Sequence, residues 1–364
     1  MSKTNMQQIW DAMKKQYGND GLCVIKDIQT ITTGSYALDD ALGVWGLPKG
    51  RIIQYAGKES CGKTLMSLIA IREWQKLNEY NWAVFIDAEF SYDESWAKKL
   101  GVDTDRVFLI RENNAVKVFT QLCGTPNKEL GKPKTKLGIL DLEKANPSGL
   151  GIIVLDSIAS LQAPIEMTKE VGSTMMAPMG RFLPDALKRI TPLLSQTGVV
   201  FIAINQVRVD LGKMFGDPTS TPGGKALRHD CTIMVHFTAS ESKKNFIYDA
   251  ADEVMGHITG ARIDKNKVAP PRRSCEFEIN YTQGVVNHHI EIGDLAIKYG
   301  VINRPTNTSY VYGDKKWVGK DNFYQGIFDL DLIGELLPKI KEAKLNGPAV
   351  AKVTEEYFET EENE

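Results

Sequence analysis

AGKESCGKT, residues 56–64, follows the apolar run Ile52 to Tyr55 and precedes a helical stretch that begins at Leu65. Gly57, four intervening residues, then Gly62, Lys63 and Thr64 form the pattern in which backbone N–H groups at a helix N-terminus wrap a phosphate chain. The glycines allow close backbone approach, Lys63 carries positive charge to the terminal phosphates, and the Thr64 hydroxyl suits a magnesium ion. The strand before and the helix after distinguish the stretch from a chance match of a permissive pattern. Gly57, Lys58, Glu59, Ser60, Cys61, Gly62, Lys63 and Thr64 are therefore the candidate nucleotide-binding residues.

Outward from this loop the chain alternates strands and helices. IIQYA leads into the loop, a helix runs through Leu77, WAVFIDAE follows, and a helix is expected from about Tyr92 to Leu100. RVFLI, IIVLD at Ile152 to Asp156, a helix around Asp185 to Leu194 and VVFIAIN at Val199 to Asn205 continue the pattern. Apolar strands without polar alternation are buried on both faces, so the expected fold is α/β with a mostly parallel sheet covered by helices. The N-terminal segment, residues 1–32, reads as containing a short helix with Ile9, Met13 and Tyr17 on one apolar face, ending at Gly18. The core is placed at 33–280, with a surface insertion rich in Lys, Pro and Gly near 125–148. A small α/β unit is placed at 281–346, followed by a tail at 347–364.

With 364 residues, 42% hydrophobic and 25% charged, the composition is that of an ordinary globular protein. The N-terminus lacks the apolar core of a secretion signal and no apolar run is long enough to span a bilayer, so the cytosol is the expected compartment. Five cysteines, none in a C-x-x-C pair, signal neither a disulfide framework nor a zinc site. His288 and His289 read as surface or turn residues, on opposite faces if they lie in a strand as the adjacent IEI suggests. Net charge is −2, but the last ten residues hold six glutamates and no base; without them the chain would carry +4. Such a block reads as a solvated tail.

Hydrolysis at a phosphate loop also requires an acid that holds metal and a group that orients water. Asp156 ends an apolar strand and fits the first role, although a helix-capping role suits it too. Glu89, at the end of FIDAEF, fits the second, or is a surface charge. Asp93 and Trp96 offer a hydrogen bond and a stacking face for a base, and a tryptophan there equally suits a core. Asn205 to Arg228 is long, polar and punctuated by Gly and Pro, as functional loops are.

Taken together, TTGSYALDDALGVWGLPKGRIIQYAGKESCGKT, FIDAEF, KKLGVD, IIVLDSIASL, AINQVR, MFGDPTSTPGGKAL and KNKVAPP resemble the bacterial RecA recombinases, in the family's order and over most of the chain. The resemblance implies a RecA-type P-loop ATPase core with a short N-terminal polymerisation segment and a small C-terminal α/β domain. It implies ATP and Mg2+ as cofactors, and Thr64 and Asp156 as metal ligands. Glu89 falls on the catalytic glutamate, Asp93 and Trp96 on the adenine site, and Gln206 on the sensor of the terminal phosphate. Lys265 and Lys267 match lysines that reach a neighbouring subunit's ATP. Arg181, Lys188 and Arg208 match cations at bound single-stranded DNA. Met176 lies in the first DNA loop, near Pro164 to Met179; Lys213, Gly223 and Gly224 belong to the second.

The implied activity is filament formation on single-stranded DNA, pairing with double-stranded DNA and strand exchange, with no membrane partner. Asp210 replaces a usual basic residue, with Lys213 or Lys225 to compensate, and His229 replaces an aromatic at a subunit contact. The 125–148 insertion has no place in the family pattern. These departures suit a divergent member, one encoded by a bacteriophage included, acting in the cytoplasm of a bacterium or of the phage's host. A related hexameric helicase and a DNA-independent P-loop scaffold share the phosphate loop and metal acid. The N-terminal helix and KNKVAPP favour the recombinase over the first, and the glycine-rich segment after Gln206 over the second.

Overall fold

The computed structural model describes residues 8–9, 11–15, 28–127, 133–163, 178–209, 219–220, 224–239 and 242–346. The core is a ten-stranded sheet. Its strands are β1 (Ile52–Gly57), β2 (Trp82–Asp87), β3 (Val107–Ile110), β4 (Leu150–Asp156), β5 (Val200–Gln206), β6 (Ile233–Ala239), β7 (Phe246–Tyr248), β8 (Val254–Asn266), β9 (Ser274–Asn280) and β10 (Gly284–Val286). Their order is β10-β9-β8-β6-β1-β5-β4-β2-β3, with β7 pairing on β8. All neighbours from β6 to β3 pair in parallel, while β7 to β10 extend the sheet antiparallel.

The central parallel strands are buried on both faces, as their mostly apolar sequences require: every residue of β1 and β4 is buried, while Phe108 of the edge strand β3 is exposed. One face packs against α1 (Tyr36–Leu42) and α2 (Lys63–Leu77), with Leu38, Leu42, Met66 and Ile69 against Ile53, Phe85 and Ile202. The other packs against α4 (Ala115–Cys123), α5 (Ile139–Ala145) and α6 (Pro178–Thr197), through Phe119, Leu122, Leu140, Leu183 and Leu187. α3 (Glu94–Lys99) is shorter than expected because Asp93 caps it, accepting from the N–H groups of Ser95 and Trp96. The N-terminal residues 8–9 and 11–15 are helical, and Ile9 and Met13 of the expected apolar face are exposed.

Three readings of the sequence are corrected here. Residues 133–148 are no bare surface insertion: α5 buries Leu140 in the core, and Glu143 accepts from Ser148 while Lys134 pairs with Asp141 at 2.6 Å. The Lys and Pro content masked a seven-residue helix, ILDLEKA, that buries Leu140 and Glu143. His288 and His289 open helix α8 (His288–Lys298) rather than lie in a strand, because IEIGDLAIK has helical rather than alternating spacing. The tract after Gln206 is not all loop: Arg208–Val209 pairs with Thr219–Ser220, and α7 spans Gly224–Asp230.

The C-terminal unit joins α8, a three-stranded sheet of β11 (Asn303–Thr306), β12 (Ser309–Tyr312) and β13 (Lys315–Val318), α9 (Lys320–Asp329) and α10 (Ile333–Asn346). It has its own core of Ile292, Leu295, Tyr310, Phe323, Ile327, Leu336 and Ile340, with Tyr310 stacked on Phe323 at 4.2 Å. β10 still belongs to the central sheet, so the junction falls at Asn287.

Buried Asp40 of α1 ties this unit down. Lys298 Nζ lies 2.7 Å, Lys344 Nζ 2.6 Å and the Tyr299 hydroxyl 2.7 Å from its carboxylate. Burial pushes its carboxyl up, but these three donors outweigh burial and hold it below the usual carboxylate range. Asp40→Ala leaves Lys344 buried without its counter-charge. The expected loss is about 3 kcal/mol in chemical denaturation, with hydrogen exchange quickened over α8 and α10.

Candidate nucleotide site

Parallel pairing places the carboxyl ends of β1, β2, β4 and β5 on one edge of the sheet. Gly57 pairs with Gln206 and Asp87 with Asp156, so the residues just beyond each strand gather there. Ligands of open α/β sheets bind at this edge.

The phosphate loop leaves β1 at Gly57, where a Cβ would lie 2.5 Å from the Phe237 carbonyl oxygen and 2.6 Å from Cys61 Sγ. Gly62, at φ 92°, is the N-cap of α2; it supplies no side-chain cap, and no acid occupies the first turn. A 15-residue helix therefore presents its amino end to the loop without a side-chain cap, its dipole suited to an anion. Lys63 is buried, and its ammonium donates to the Lys58 carbonyl oxygen and to Cys61 Sγ at 3.6 Å. Cys61 is buried and its thiol donates to the same carbonyl at 3.0 Å, while burial pushes that thiol up. Lys58, Glu59 and Ser60 form the exposed rim.

Thr64 Oγ1 donates to Asp156 Oδ2 at 2.7 Å, bringing together the two expected metal ligands. Asp156 is buried, and burial raises its carboxyl to about 6, with the Thr64 hydrogen bond opposing and the Glu89 charge adding to the shift. A buried carboxylate beside a hydroxyl fits a hard cation, which would favour its ionised form. Among the described residues no cluster of three or more His, Cys, Asp or Glu could cage a metal.

Glu89 follows β2. Asp87 fixes the turn behind it, accepting from the N–H groups of Ser91 and Tyr92 at 3.0 Å each, and the Ala88 N–H donates to the Asp156 carbonyl at 2.8 Å. Its Oε1 accepts from Ser157 Oγ at 2.5 Å, Ser160 Oγ at 3.1 Å and Gln206 Nε2 at 3.4 Å. The two serines were not singled out in the sequence; IIVLDSIAS placed Asp156 at a strand end, and its next hydroxyls face the same edge. Asp93 and Trp96 line a small crevice with Thr64, Leu68, Tyr92 and Asp156. The Trp96 indole N–H donates to the Tyr281 carbonyl at 2.6 Å, and the Tyr281 hydroxyl meets His257 Nδ1 at 3.1 Å. Tyr281 carries no motif signal, since only the antiparallel extension brings it here.

Lys265 and Lys267 lie elsewhere. Lys265 Nζ donates to the carbonyls of Arg228 and, at 2.9 Å, His229; Lys267 Nζ donates to that of His229 at 3.0 Å. Both cap the carboxyl end of α7. Arg181 and Lys188 are exposed, two turns apart on one face of α6. Arg208 and Gly224 are placed by backbone alone, in the short strand pair and at the start of α7. Met176, Lys213, Gly223, Asp210 and the acidic tail lie outside the described residues.

A strand–phosphate loop–helix at the carboxyl edge of a parallel sheet, with a Thr–Asp pair and a glutamate on the adjoining strand, defines a P-loop nucleotide-binding protein. The family model for the RecA N-terminal domain matches residues 4–123 and 130–286, which leaves only 124–129 of the expected insertion outside it. Curated relatives include Protein RecA of Cytophaga hutchinsonii, 33% identical over 98% of this chain and 95% of the relative. Protein RecA of Frankia casuarinae is 36% identical over 93% and 94%, and that of Psychrobacter arcticus 36% over 84% and 80%. The chain belongs to the RecA family of DNA recombinases.

Gly57→Ala drives a methyl into the Phe237 carbonyl and the Cys61 sulfur. Nucleotide titration is expected to show affinity falling at least about tenfold, and thermal unfolding a loss of roughly 1–3 kcal/mol from overpacking.

Proposed function

We propose that this RecA-family chain is a DNA-dependent ATPase that assembles as a helical filament on single-stranded DNA, pairs it with a homologous duplex and exchanges strands. Its expected place is the cytoplasm; among the described residues no helix is long and apolar enough to cross a membrane. The observation that carries the reading is the chain of contacts from the phosphate loop through Gln206 to Glu89. Gln206 pairs with Gly57 at the loop's root, touches Glu89 at 3.4 Å, and leads directly into the tract read as the second DNA loop. Nucleotide state and DNA contact thus meet on one side chain.

In this scheme the N–H groups of α2 and the Lys63 ammonium bind the phosphates of ATP. Thr64 and Asp156 hold Mg2+, which when bound neutralises charge on the phosphate oxygens. Glu89 orients a water for in-line attack and takes up its proton. Arg181 and Lys188, exposed on one face of α6, suit a DNA backbone.

Lys265 and Lys267 favour action across a subunit boundary. Ile233 pairs with both Ile53 and Asn266, so the lysines stand at the edge where β1 begins, whereas the phosphate loop follows its other end. Four residues of strand separate the two levels, roughly 13 Å. Burial first, then the Lys267 charge, hold the Lys265 ammonium below its ordinary value. Such a pair of cations is relieved by an anion, and a neighbour's phosphate supplies one.

Electron microscopy with ATP and single-stranded DNA tests the reading as a whole. Helical filaments support it, closed rings favour a helicase, and assembly indifferent to DNA favours a scaffold. Glu89→Gln is expected to keep nucleotide binding and filaments while losing at least about a hundredfold in ATP turnover; near-normal turnover removes Glu89 from the chemistry. Mixing Glu89→Gln with a Lys265→Ala, Lys267→Ala chain should restore ATPase in joint filaments. Activity equal to the sum of the separate proteins would mean that the lysines act within one chain.

A further inference from the structure

Three donors converge on one oxygen of Glu89, and two of them are serines that no motif singles out. Ser157 is fully buried, whereas Ser160 ends a turn of 3-10 helix, Ile158–Ser160, and is partly exposed. Their hydroxyl oxygens are 3.1 Å apart, and each hydroxyl has one proton to give. Ser157 directs its proton along the shorter contact to Glu89, so that of Ser160 divides between Glu89 Oε1 and Ser157 Oγ. Both arrangements stabilise the carboxylate: one by a direct bond, the other by polarising the Ser157 hydroxyl.

The backbone around this pair is fixed at both ends. Ala88 is bonded to Asp156 upstream, and downstream the Gln162 N–H donates to the Asn113 carbonyl at 2.8 Å while Ala115 N–H donates to the Gln162 carbonyl at 3.0 Å. The start of α4 therefore holds the serine turn against the end of β2. Glu89 itself is exposed, and a glutamate there would otherwise sample many rotamers. Among the described residues, all the donors that engage its carboxylate do so through Oε1.

We propose that Ser160 is a positioning residue for Glu89: together with Ser157 it anchors Oε1, selects one rotamer, and leaves Oε2 to address the attacking water. This deepens the reading of Glu89 as the water-orienting group and rests on it. Removal of Ser160 lowers the fraction of bound complexes in which Oε2 meets water, and leaves the phosphate loop untouched. Its effect falls on kcat and not on KM.

The test uses the full chain with single-stranded DNA and ATP. Ser160→Ala is expected to lower kcat about tenfold, the scale of one hydrogen bond to a charged group. KM, affinity for a fluorescent ATP analogue, filament assembly and the thermal midpoint should stay near wild type. Ser160→Thr keeps the hydroxyl and should recover most of the rate. In the Glu89→Gln background, Ser160→Ala should cause no further loss, since a positioning residue has nothing left to position. The proposal is overturned if Ser160→Ala turns over ATP at the wild-type rate, if its loss lies in KM or assembly, if Thr fails to rescue, or if the loss persists undiminished in the Glu89→Gln background. Normal turnover of Glu89→Gln alone would instead remove the reading beneath it, and that single variant reports this independently of every Ser160 measurement.

Discussion

Everything at the nucleotide edge depends on the parallel register of four buried strands. β1, β2, β4 and β5 are almost wholly apolar, with Gln54 buried inside β1, and polar groups appear at or just beyond their carboxyl ends: Lys58, Asp87, Asp156, and Asn205 with Gln206. Gly57 pairs with Gln206 and Asp87 with Asp156, so polar chemistry emerges at one level of the sheet. A slip of one residue in any strand would turn its apolar side chains to the wrong face and its terminal carboxylate or amide away from the edge. Burial of these strands thus determines the positions of Asp156, Glu89 and Gln206 together. The same hydrophobic driving force that stabilises the sheet sets the geometry of the site.

Charge at that edge is arranged around anion binding. The amino end of α2 is uncapped, Lys63 spends its ammonium on a loop carbonyl and a thiol, and Asp156 is raised to about 6 by burial. In the proposed scheme each of these groups would gain from a phosphate chain and its cation: the helix dipole an anion, the lysine a stronger acceptor than a carbonyl, and the carboxylate a counter-charge. A loop already satisfied by side-chain caps and salt bridges would bind less.

How much of this was legible from sequence follows from the range of the interactions. Local signals were sufficient for the phosphate loop and for the parallel strands, because the glycine spacing and apolar runs are contained within ten residues. Glu89 and Asp156 were legible as candidates for a related reason: each ends or directly follows an apolar strand, and parallel sheets align strand ends, whereas Gln206 came only with the family resemblance. Their contacts with one another were less so, since Ser157 and Ser160 meet Glu89 across nearly seventy residues of chain. Tyr281 beside Trp96 depends on the antiparallel extension β8–β10, whose placement no local pattern fixes. Composition misled at 133–148, where lysines and prolines flank the short apolar run that buries Leu140. His288 and His289 misled because IEI alternates over three residues before helical spacing declares itself.

The C-terminal unit illustrates how a domain junction can be specified by polar groups without loss of order. Glu291, from the first turn of α8, reaches the amino end of α1, accepting from Ser35 Oγ at 2.5 Å and the Ala37 N–H at 3.0 Å, while His288 lies 2.8 Å from its other oxygen. One unit's carboxylate thereby caps the other's helix. At the opposite end of α1, Asp40 binds Lys298 and Lys344. Two anchors at the two ends of a seven-residue helix fix both position and rotation, which a smooth apolar contact alone would leave free to slide. Asn266, between Lys265 and Lys267, donates to the Leu42 carbonyl at the end of the same helix at 2.9 Å. The lysine strand and the C-terminal unit are therefore both referenced to α1.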